Sequence, residues 1–413
     1  MPPNSAGAAA SVAGAAASVA DVAAVGNEVA GAALKMRAVV LRSPGRPVAV
    51  ETVVLAPPRR GEVLVRVAAA GVCHSDVHLA DGLLGAGRWP MVLGHEGAGV
   101  VEAVGPGVDG LSVGDHVAFC FVPSCGFCEA CRAGRRTLCE TAGRTGVAGM
   151  LMDGTSRLRD LDGTVLQHGL MVACFAEYAV VPAAGAVSLP ASIPLWQAAL
   201  LGCGVVTGIG AVNRAGVRVG ATVCVIGCGG VGLQVIAGAR LAGAGMIVAV
   251  DLDPEKLELA LRRGATHAVS AAVSGSGGSS VVEEVLAVSG GGVEHAFEVV
   301  GRPETIRQAW DVLRPGGTAM VVGLAPVGVE VSLPAIEFLA EKTITGTYYG
   351  SADVHAALGQ LVPMVADGRL HLGEVVSDVT TLDGVQSALD RLRRGEGARS
   401  VVVIDEALSA VPA

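Results

Sequence analysis

The sequence predicts an α/β protein in which a β-rich domain is interrupted by an inserted, doubly wound parallel sheet. Three observations carry this prediction. The early part of the chain alternates short apolar runs with Pro- and Gly-rich turns, the middle part alternates apolar strands with helical stretches, and the last part returns to irregular sequence. At 413 residues the chain is long enough for two or three domains of ordinary size.

The first folded segment is predicted to be irregular β structure. Apolar runs such as 37–41 and 63–67 are separated by turn residues, as is typical of short strands. Residues 1–34 consist mostly of Ala, Val, Gly and Ser and lack the cationic stretch of a secretory signal. We predict a disordered extension there, with an Ala-rich helix as the alternative, and a β-rich domain over 35–204 and 346–408.

The middle of the chain carries the periodicity of a parallel sheet. A strand, a helix and a second strand fall within about thirty residues, which indicates a βαβ unit. The predicted elements are strand 222–226, helix 230–241 and strands 246–250, 294–299 and 318–322. We therefore predict a doubly wound domain over 205–345, after which the final strand, 400–404, rejoins the first domain.

Composition and charge restrict the class of function. The formal net charge of −9, without a basic stripe, argues against a nucleic-acid partner. Gly and charged residues interrupt the apolar stretches, so no membrane span is predicted. Ten cysteines without a secretory signal favour metal binding in a reducing compartment over disulfides. We expect a cytoplasmic protein that acts on a small molecule.

A glycine-rich turn lies between a predicted strand and a predicted helix and reads Gly227-Cys228-Gly229-Gly230-Val231-Gly232. Glycines permit a tight turn and close approach of a pyrophosphate to the helix N-terminus. Asp251 ends the next strand, where a carboxylate accepts hydrogen bonds from ribose hydroxyls and repels a 2′-phosphate. The turn therefore predicts NAD, and Lys256 either reaches the ribose or is a solvated helix lysine.

Four cysteines lie close together in the sequence, in an excursion of the chain that we predict to form a small lobe at about 120–140. Four thiolates at short spacing are typical of a closed tetrahedral zinc site, and an iron–sulfur cluster is the chemical alternative. The predicted ligands of this structural zinc are Cys125, Cys128, Cys131 and Cys139.

A second set of candidate ligands, Cys73, His95 and Cys203, is dispersed over 131 positions. Two cysteines and one histidine leave the fourth position of a zinc ion open for water or a substrate oxygen. Each residue alone is ordinary, because lone cysteines and histidines are often simply buried core residues.

The order of the motifs resembles that of zinc-dependent medium-chain alcohol dehydrogenases over about residues 36–408. The motifs are Gly-Val-Cys-His-Ser-Asp-x-His at 71–78, Gly-His-Glu at 94–96, the four-cysteine excursion, Gly-Cys-Gly at 202–204 and the glycine turn. Cys139 and Cys203 are 64 positions apart, and the stretch between them, which carries Asp-Gly-Thr-Ser-Arg at 153–157, is similar to that of the long-loop, typically dimeric branch.

This resemblance implies a GroES-like catalytic domain with an inserted Rossmann domain, two zinc ions per chain, NAD and a homodimer. It implies that Cys73, His95 and Cys203 bind the catalytic zinc. Ser75 matches the hydroxyl that hydrogen-bonds the substrate oxygen, and His78 matches the histidine that passes the proton to solvent, with a plain surface histidine as the alternative.

The resemblance assigns further residues around the zinc and the cofactor. The carboxylates beside the zinc would be Asp76, which orients the histidine ligand, and Glu96. The residues matched to cofactor contacts are His74 and Arg399 at the phosphates and Thr207, Val231 and Val322 at the nicotinamide. The residues matched to the substrate pocket are Phe121 and Leu324.

The expected function is reversible hydride transfer between a primary or secondary alcohol and NAD. A thiol-adduct formaldehyde dehydrogenase, using glutathione or mycothiol, and a biosynthetic aldehyde or ketone reductase are the enzyme alternatives. A non-catalytic nucleotide-binding protein on the same fold is the alternative from another class, and it predicts that zinc ligands or relay residues are lost. None of these residues is missing from the chain.

Overall fold

A computed structural model describes residues 32–84, 89–273 and 280–409. Of the extension predicted over 1–34, positions 1–31 lie outside the described residues. The first strand begins at Leu34, so the prediction that the extension runs to position 34 is wrong by one residue at that end.

The described residues form eighteen strands and twelve α-helices. The strands are β1 (Leu34–Leu41), β2 (Ala49–Leu55), β3 (Glu62–Val72), β4 (Met91–Val92), β5 (Glu96–Val104), β6 (His116–Phe119), β7 (Leu158–Arg159), β8 (Val165–His168), β9 (Tyr178–Pro182), β10 (Ala186–Leu189), β11 (Thr222–Ile226), β12 (Met246–Asp251), β13 (His267–Ser270), β14 (Val293–Glu298), β15 (Leu313–Val321), β16 (Thr343–Gly346), β17 (Val376–Thr380) and β18 (Arg399–Val403). The helices are α1 (His74–Ala80), α2 (Glu129–Arg132), α3 (Glu140–Val147), α4 (Leu195–Leu200), α5 (Val206–Ala215), α6 (Gly232–Leu241), α7 (Pro254–Arg262), α8 (Val281–Ser289), α9 (Pro303–Asp311), α10 (Val354–Ala366), α11 (Val385–Arg393) and α12 (Glu406–Ser409).

Two β structures make up the β-rich part. Strands β1, β2, β7, β8 and β4 close into a small barrel, and β10-β6-β5-β3-β18-β17 form a sheet to which β9 adds by pairing with β3. Because β18, near the end of the chain, pairs antiparallel with β3, the last segment returns to the first sheet. The inserted arrangement predicted from the sequence is therefore confirmed.

The inserted part is a six-stranded, fully parallel sheet in the order β13-β12-β11-β14-β15-β16. Its central strands are buried on both faces, which explains why they read as continuous apolar runs. Strand order reverses between β11 and β14, and ligands of such sheets bind at the carboxyl ends of the strands beside that point.

Element boundaries differ slightly from the predictions. The strand predicted at 318–322 is the second half of β15, which begins at Leu313, and the strand predicted at 294–299 begins one residue earlier. The helix predicted from 230 begins at Gly232, because Gly229, Gly230 and Val231 form the turn before it.

The sequence analysis predicted no segment long and apolar enough to cross a membrane, but one helical run has that length and composition. Residues Leu195–Ala215 form 21 consecutive helical residues that are apolar enough to cross a membrane, and 89% of the apolar window is buried inside the protein. The run comprises α4, a π-helical turn at Leu201–Val205 and α5. The glycines in this run do not break the helix. They let neighbouring backbone pack closely against it, as at Gly202 and Gly210.

Candidate metal and nucleotide site

Buried side chains that are far apart in the sequence meet at the ends of β3 and β5. Cys73 follows β3 and is the N-cap of α1, His95 directly precedes β5, and Cys203 lies in the π-helical turn. Ligand atoms of these three residues and of Glu96 all lie within 4.8 Å of one another. The structure thus brings together the three predicted ligands and the carboxylate predicted beside them.

Two glycines allow this convergence. Strands β3 and β5 pair with Gly71 opposite Glu96, and a Cβ atom on Gly71 would collide with the Glu96 carboxylate. A Cβ atom on Gly202 would collide with the carbonyl oxygen of Phe119 at the end of β6. Only glycine therefore fits at these two contacts between the elements that carry the ligands.

Asp76 holds the dispersed ligands in one arrangement. Its fully buried carboxylate accepts hydrogen bonds from the backbone N–H of Cys73 at 3.1 Å and of Gly94 at 3.2 Å, and its Oδ1 lies 3.1 Å from Nδ1 of His95. A carboxylate bonded to Nδ1 leaves Nε2 as the nitrogen free for a metal. This is the position expected of a residue that orients the histidine.

The donor set fits a zinc ion. Nε2 of His95 is buried and has no hydrogen-bond partner among the described residues. The adjacent Cys203 sulfur, with help from His95, lowers the pKa of the Cys73 thiol well below its ordinary value, and zinc binds the thiolate form. Burial raises the pKa of Glu96 to about 7. Two sulfurs and one imidazole leave a tetrahedral position open.

Two candidates for proton transfer lie on α1 beside this set. The hydroxyl of Ser75 lies 3.9 Å from the Cys73 sulfur. His78 is half-buried, and burial together with the nearby charge of His74 lowers its pKa. Because α1 begins at the ligand Cys73, both side chains are attached to the metal site through one short helix.

Arg399 connects the ligand cluster to the glycine turn. Only 6% of the residue is exposed, and its Nη1 donates to Glu96 Oε1 at 3.0 Å and to the carbonyl oxygen of Val72 at 3.2 Å. A Cβ atom on Gly230 would lie 2.6 Å from Nε of this guanidinium. The predicted phosphate-binding arginine therefore lies beside the turn, while its Nη1 is bonded to Glu96 and Val72 next to the metal ligands.

The glycine turn leaves space for a ligand at the start of α6. A Cβ atom on Gly229 would meet nothing within 4 Å. Asp251 at the end of β12 accepts hydrogen bonds from the backbone N–H of Cys228 at 2.7 Å and of Asp253 at 3.0 Å. Each carboxylate oxygen retains a lone pair, so the residue can still accept from a ribose.

The other residues matched to cofactor contacts come from α1, α5, α7 and the end of β15. Lys256 is half-buried, and its ammonium donates to the carbonyl oxygen of Gly395 at 2.5 Å. His74 is exposed on α1. Thr207 lies on α5 next to Gly208, where a Cβ atom would lie 2.8 Å from the carbonyl oxygen of Val231. The N–H of Val322 donates to the Glu298 carbonyl at 2.8 Å.

An aromatic group covers the ligand cluster. The Phe121 ring stands edge-on to His95 with centroids 5.2 Å apart, and it contacts Tyr348 at 6.3 Å and Tyr349 at 4.4 Å. Leu324, the other predicted pocket residue, is 41% exposed. The sequence analysis missed both tyrosines, and two adjacent aromatics in a chain with 3% aromatic residues were the available signal.

The second candidate metal site lies in a small lobe. Its four sulfurs lie within 4.8 Å of one another, and two of the residues are half-buried. Although burial opposes it, backbone N–H groups of Phe127 and Cys128 lower the pKa of the Cys125 thiol to about 6. The four side chains that the structure brings together are Cys125, Cys128, Cys131 and Cys139. Four thiols around one point suit zinc with no open position.

Comparisons with known proteins show the family of both halves of the chain. Residues 59–191 match the alcohol dehydrogenase GroES-like domain, and residues 230–366 match the zinc-binding dehydrogenase domain. An S-(hydroxymethyl)glutathione dehydrogenase from Paracoccus denitrificans is 35% identical over 378 residues, which is 90% of this chain and 100% of that protein.

Solved structures share the fold. An alcohol dehydrogenase zinc-binding domain protein from Burkholderia ambifaria aligns with a TM-score of 0.85 and 35% identity, covering 91% of this chain and 100% of that one. Benzyl alcohol dehydrogenase from Acinetobacter calcoaceticus aligns with a TM-score of 0.84 and 30% identity, covering 90% and 99%. These similarities confirm the predicted fold and the predicted use of zinc and a nicotinamide dinucleotide.

Proposed function

The chain belongs to the zinc-dependent medium-chain alcohol dehydrogenase family, and from this premise we propose that it transfers hydride reversibly between an alcohol and NAD at the site formed by Cys73, His95 and Cys203. The observation that carries the proposal is the buried set of ligand atoms within 4.8 Å of one another, in which Nε2 of His95 has no partner among the described residues. When bound, zinc makes an alcohol hydroxyl more acidic and the dinucleotide accepts the hydride.

The residues around the site perform the steps that the protein itself must supply. Asp76 keeps His95 in the tautomer that offers Nε2. Ser75 accepts the hydroxyl proton of the alcohol as its own hydroxyl proton moves on toward His78, and His78, whose pKa is lowered, passes a proton to solvent. Phe121 limits the access of water from one side. Fully buried, Glu96 is paired with Arg399 and stays outside the ligand set.

NAD is proposed as the cofactor on the basis of Asp251. A carboxylate at the end of β12, near the ribose position, disfavours a 2′-phosphate. The carboxylate is bonded to the backbone of the glycine turn, so it cannot easily swing away. Comparing kcat/KM for NAD and NADP with one alcohol tests this choice, and we expect NAD to be preferred by at least tenfold.

An alcohol with an apolar substituent is the proposed substrate. Phe121 covers the cluster, and Tyr348 and Leu324 are partly exposed near the predicted pocket. Such a surface offers stacking and apolar contact to an aromatic or allylic group. Direction is set by the ratio of oxidised to reduced cofactor, so the same site serves a biosynthetic reductase.

A thiol-adduct dehydrogenase is the second candidate, because several relatives at 35–37% identity are S-(hydroxymethyl)glutathione dehydrogenases. One screen separates the two. NADH formation is followed with benzyl, allylic and aliphatic alcohols, and with formaldehyde alone, with glutathione and with mycothiol, on protein whose zinc has been counted. Turnover of formaldehyde only in the presence of a thiol supports the second candidate, and no NADH with any substrate contradicts both.

A homodimer is proposed from an exposed apolar surface beside the edge strand β16. The segment 335–340 next to this strand exposes Ile336, Phe338 and Leu339, the last by 80%, and Val327 is exposed nearby in sequence. An unpaired edge with apolar neighbours suits pairing with a second copy. Light scattering tests the mass, and Leu339→Arg should shift it toward the monomer.

A reducing compartment such as the cytoplasm is proposed from the cysteines. All ten of them are unbridged, as expected of a protein that works under reducing conditions.

A further inference from the structure

The chain crosses between the two sheets at two places, and these crossings pack against each other. The first crossing is the π-helical turn followed by α5, and the second runs from β16 through 349–351 to α10. A Cβ atom on Gly210 of α5 would lie 2.7 Å from the carbonyl oxygen of Gly350. The two backbones therefore touch with no side chain between them.

The second crossing has an unusual backbone. Tyr349, Gly350 and Ser351 are consecutive residues with φ of 56°, 68° and 53°. Non-glycine residues in this region are strained and are retained where the surroundings require them, often at functional sites. The surroundings therefore hold this segment in a conformation that its two non-glycine residues do not favour.

The Tyr349 side chain contacts the surroundings of two metal-site residues. Only 3% of the residue is exposed, and its ring packs against Phe121 with centroids 4.4 Å apart. Phe121 in turn packs edge-on against the ligand His95. The hydroxyl donates a hydrogen bond to the carbonyl oxygen of Gly202, the residue immediately before the ligand Cys203.

The bond to Gly202 explains how an irregular turn can hold a ligand. In a π-helical turn the regular hydrogen-bond pattern is interrupted, and such turns are frequent at functional sites. A buried carbonyl needs a donor. A tyrosine hydroxyl carries its proton at neutral pH, so Tyr349 can serve as that donor.

We propose that Tyr349 is a positioning residue for the catalytic metal, which holds the Cys203 turn through its hydroxyl and Phe121 through its ring. It acts on the metal site through its contacts with those two residues. The proposal rests on the proposed function, since it takes Cys203 to be a metal ligand. It assigns to the second crossing a role in fixing the metal site.

The test compares two tyrosines. Tyr349→Phe removes the hydroxyl and keeps the ring. Tyr178→Phe is the control, because Tyr178 lies on β9 and packs against an apolar cluster that contains no residue of the metal site. Tyr349→Leu removes both contacts. In the full-length protein, zinc release from the dispersed site to a coloured chelator is timed, and the visible spectrum is recorded after replacement of that zinc by Co²⁺.

Tyr349→Phe is expected to release the metal roughly fivefold to tenfold faster, the loss of one buried hydrogen bond. Its Co²⁺ bands should shift, kcat should fall and KM for NAD should be unchanged. Tyr349→Leu should exceed these effects and Tyr178→Phe should match the wild type. If release and spectrum are unchanged in Tyr349→Phe, or change equally in Tyr178→Phe, the proposal is overturned. Both readouts are independent of turnover, so an inactive wild type that still binds Co²⁺ contradicts only the proposed alcohol oxidation.

Discussion

The two cysteine-containing sites are built in opposite ways. The lobe site takes its four sulfurs from a stretch of fifteen residues, 125–139, and packs on a small apolar cluster at the surface. The dispersed site takes its donors from positions 73 to 203, and all of them are buried, with Cys73 and Cys203 inside a large apolar cluster. One site is local and partly exposed, and the other is assembled by the whole fold.

This difference separates the roles of metal and protein. A short excursion with four thiolates has little core of its own, so bound zinc supplies much of its stability. The dispersed donors are held by sheet pairing, glycine contacts and Asp76 even before a metal is considered. We therefore expect loss of the metal to unfold the lobe site, and to abolish activity at the dispersed site without unfolding it.

The largest expected effect comes from Cys203→Ala. One of two zinc ions should be lost, and alcohol oxidation should fall on the order of a thousandfold, because Lewis-acid activation contributes several kcal/mol. The fold should persist, with the lobe zinc retained. NADH absorbance and zinc counting on the same sample measure this. Cys224→Ala, an equally buried cysteine on β11 outside both sets, is the control. Two zinc ions in Cys203→Ala would contradict the ligand assignment.

Cys131→Ser should act on the other site and on a different quantity. We expect one zinc ion to be lost and amide exchange over 125–147 to become roughly a hundredfold faster, since the lobe opens without its metal. Exchange in the six-stranded sheet should be unchanged, and activity should fall less than tenfold. Hydrogen exchange read by mass spectrometry measures this. Equal exchange in wild type and variant would show that the lobe is stable without zinc.

Arg399→Lys tests the long-range support of the dispersed site. Lysine cannot bond Glu96 and the Val72 carbonyl while also facing the glycine turn, because it lacks the guanidinium fork. The dissociation constant for NAD, from fluorescence titration, should rise about tenfold. Arg394→Lys is the control, since this exposed arginine pairs with Glu396 on the same surface turn. A larger change in Arg394→Lys would place the phosphate contact elsewhere.

The smallest effect concerns His168, in the stretch that joins the two sites. Burial and then the charge of Arg157 lower the pKa of His168 to about 3, from an ordinary value of 6.5. Below pH 6.5 the unfolded chain binds a proton that the folded chain excludes. The free energy of unfolding should therefore fall toward pH 5, by up to about 1.4 kcal/mol per pH unit.

Urea unfolding between pH 5 and 7 measures that slope. His168→Gln should be less stable at pH 7 but should show a weaker pH dependence than the wild type, whereas His371→Gln at an exposed position should follow the wild type. Parallel curves for wild type and His168→Gln would mean that this histidine is protonated in the folded protein as well.

Local and periodic features were predictable from the sequence. The four-cysteine excursion, strands 222–226 and 246–250 and the carboxylate at 251 depend on spacing within a few residues, and the structure has those strands at Thr222–Ile226 and Met246–Asp251. The fold class followed because parallel strands buried on both faces have a distinctive composition. The dispersed ligands were identified only through a family resemblance, since no local pattern connects positions 73, 95 and 203.

Tertiary structure alone decided the contacts that shape the active site. Tyr349 reaches Gly202 across 147 positions, and Arg399 reaches Glu96 across 303. The apolar run Leu195–Ala215 became a buried core helix only because both sheets pack around it. Spacing along the chain carries no information on such contacts. They depend on how β3, β5 and the two crossings are placed in space, and that placement is a property of the whole folded core.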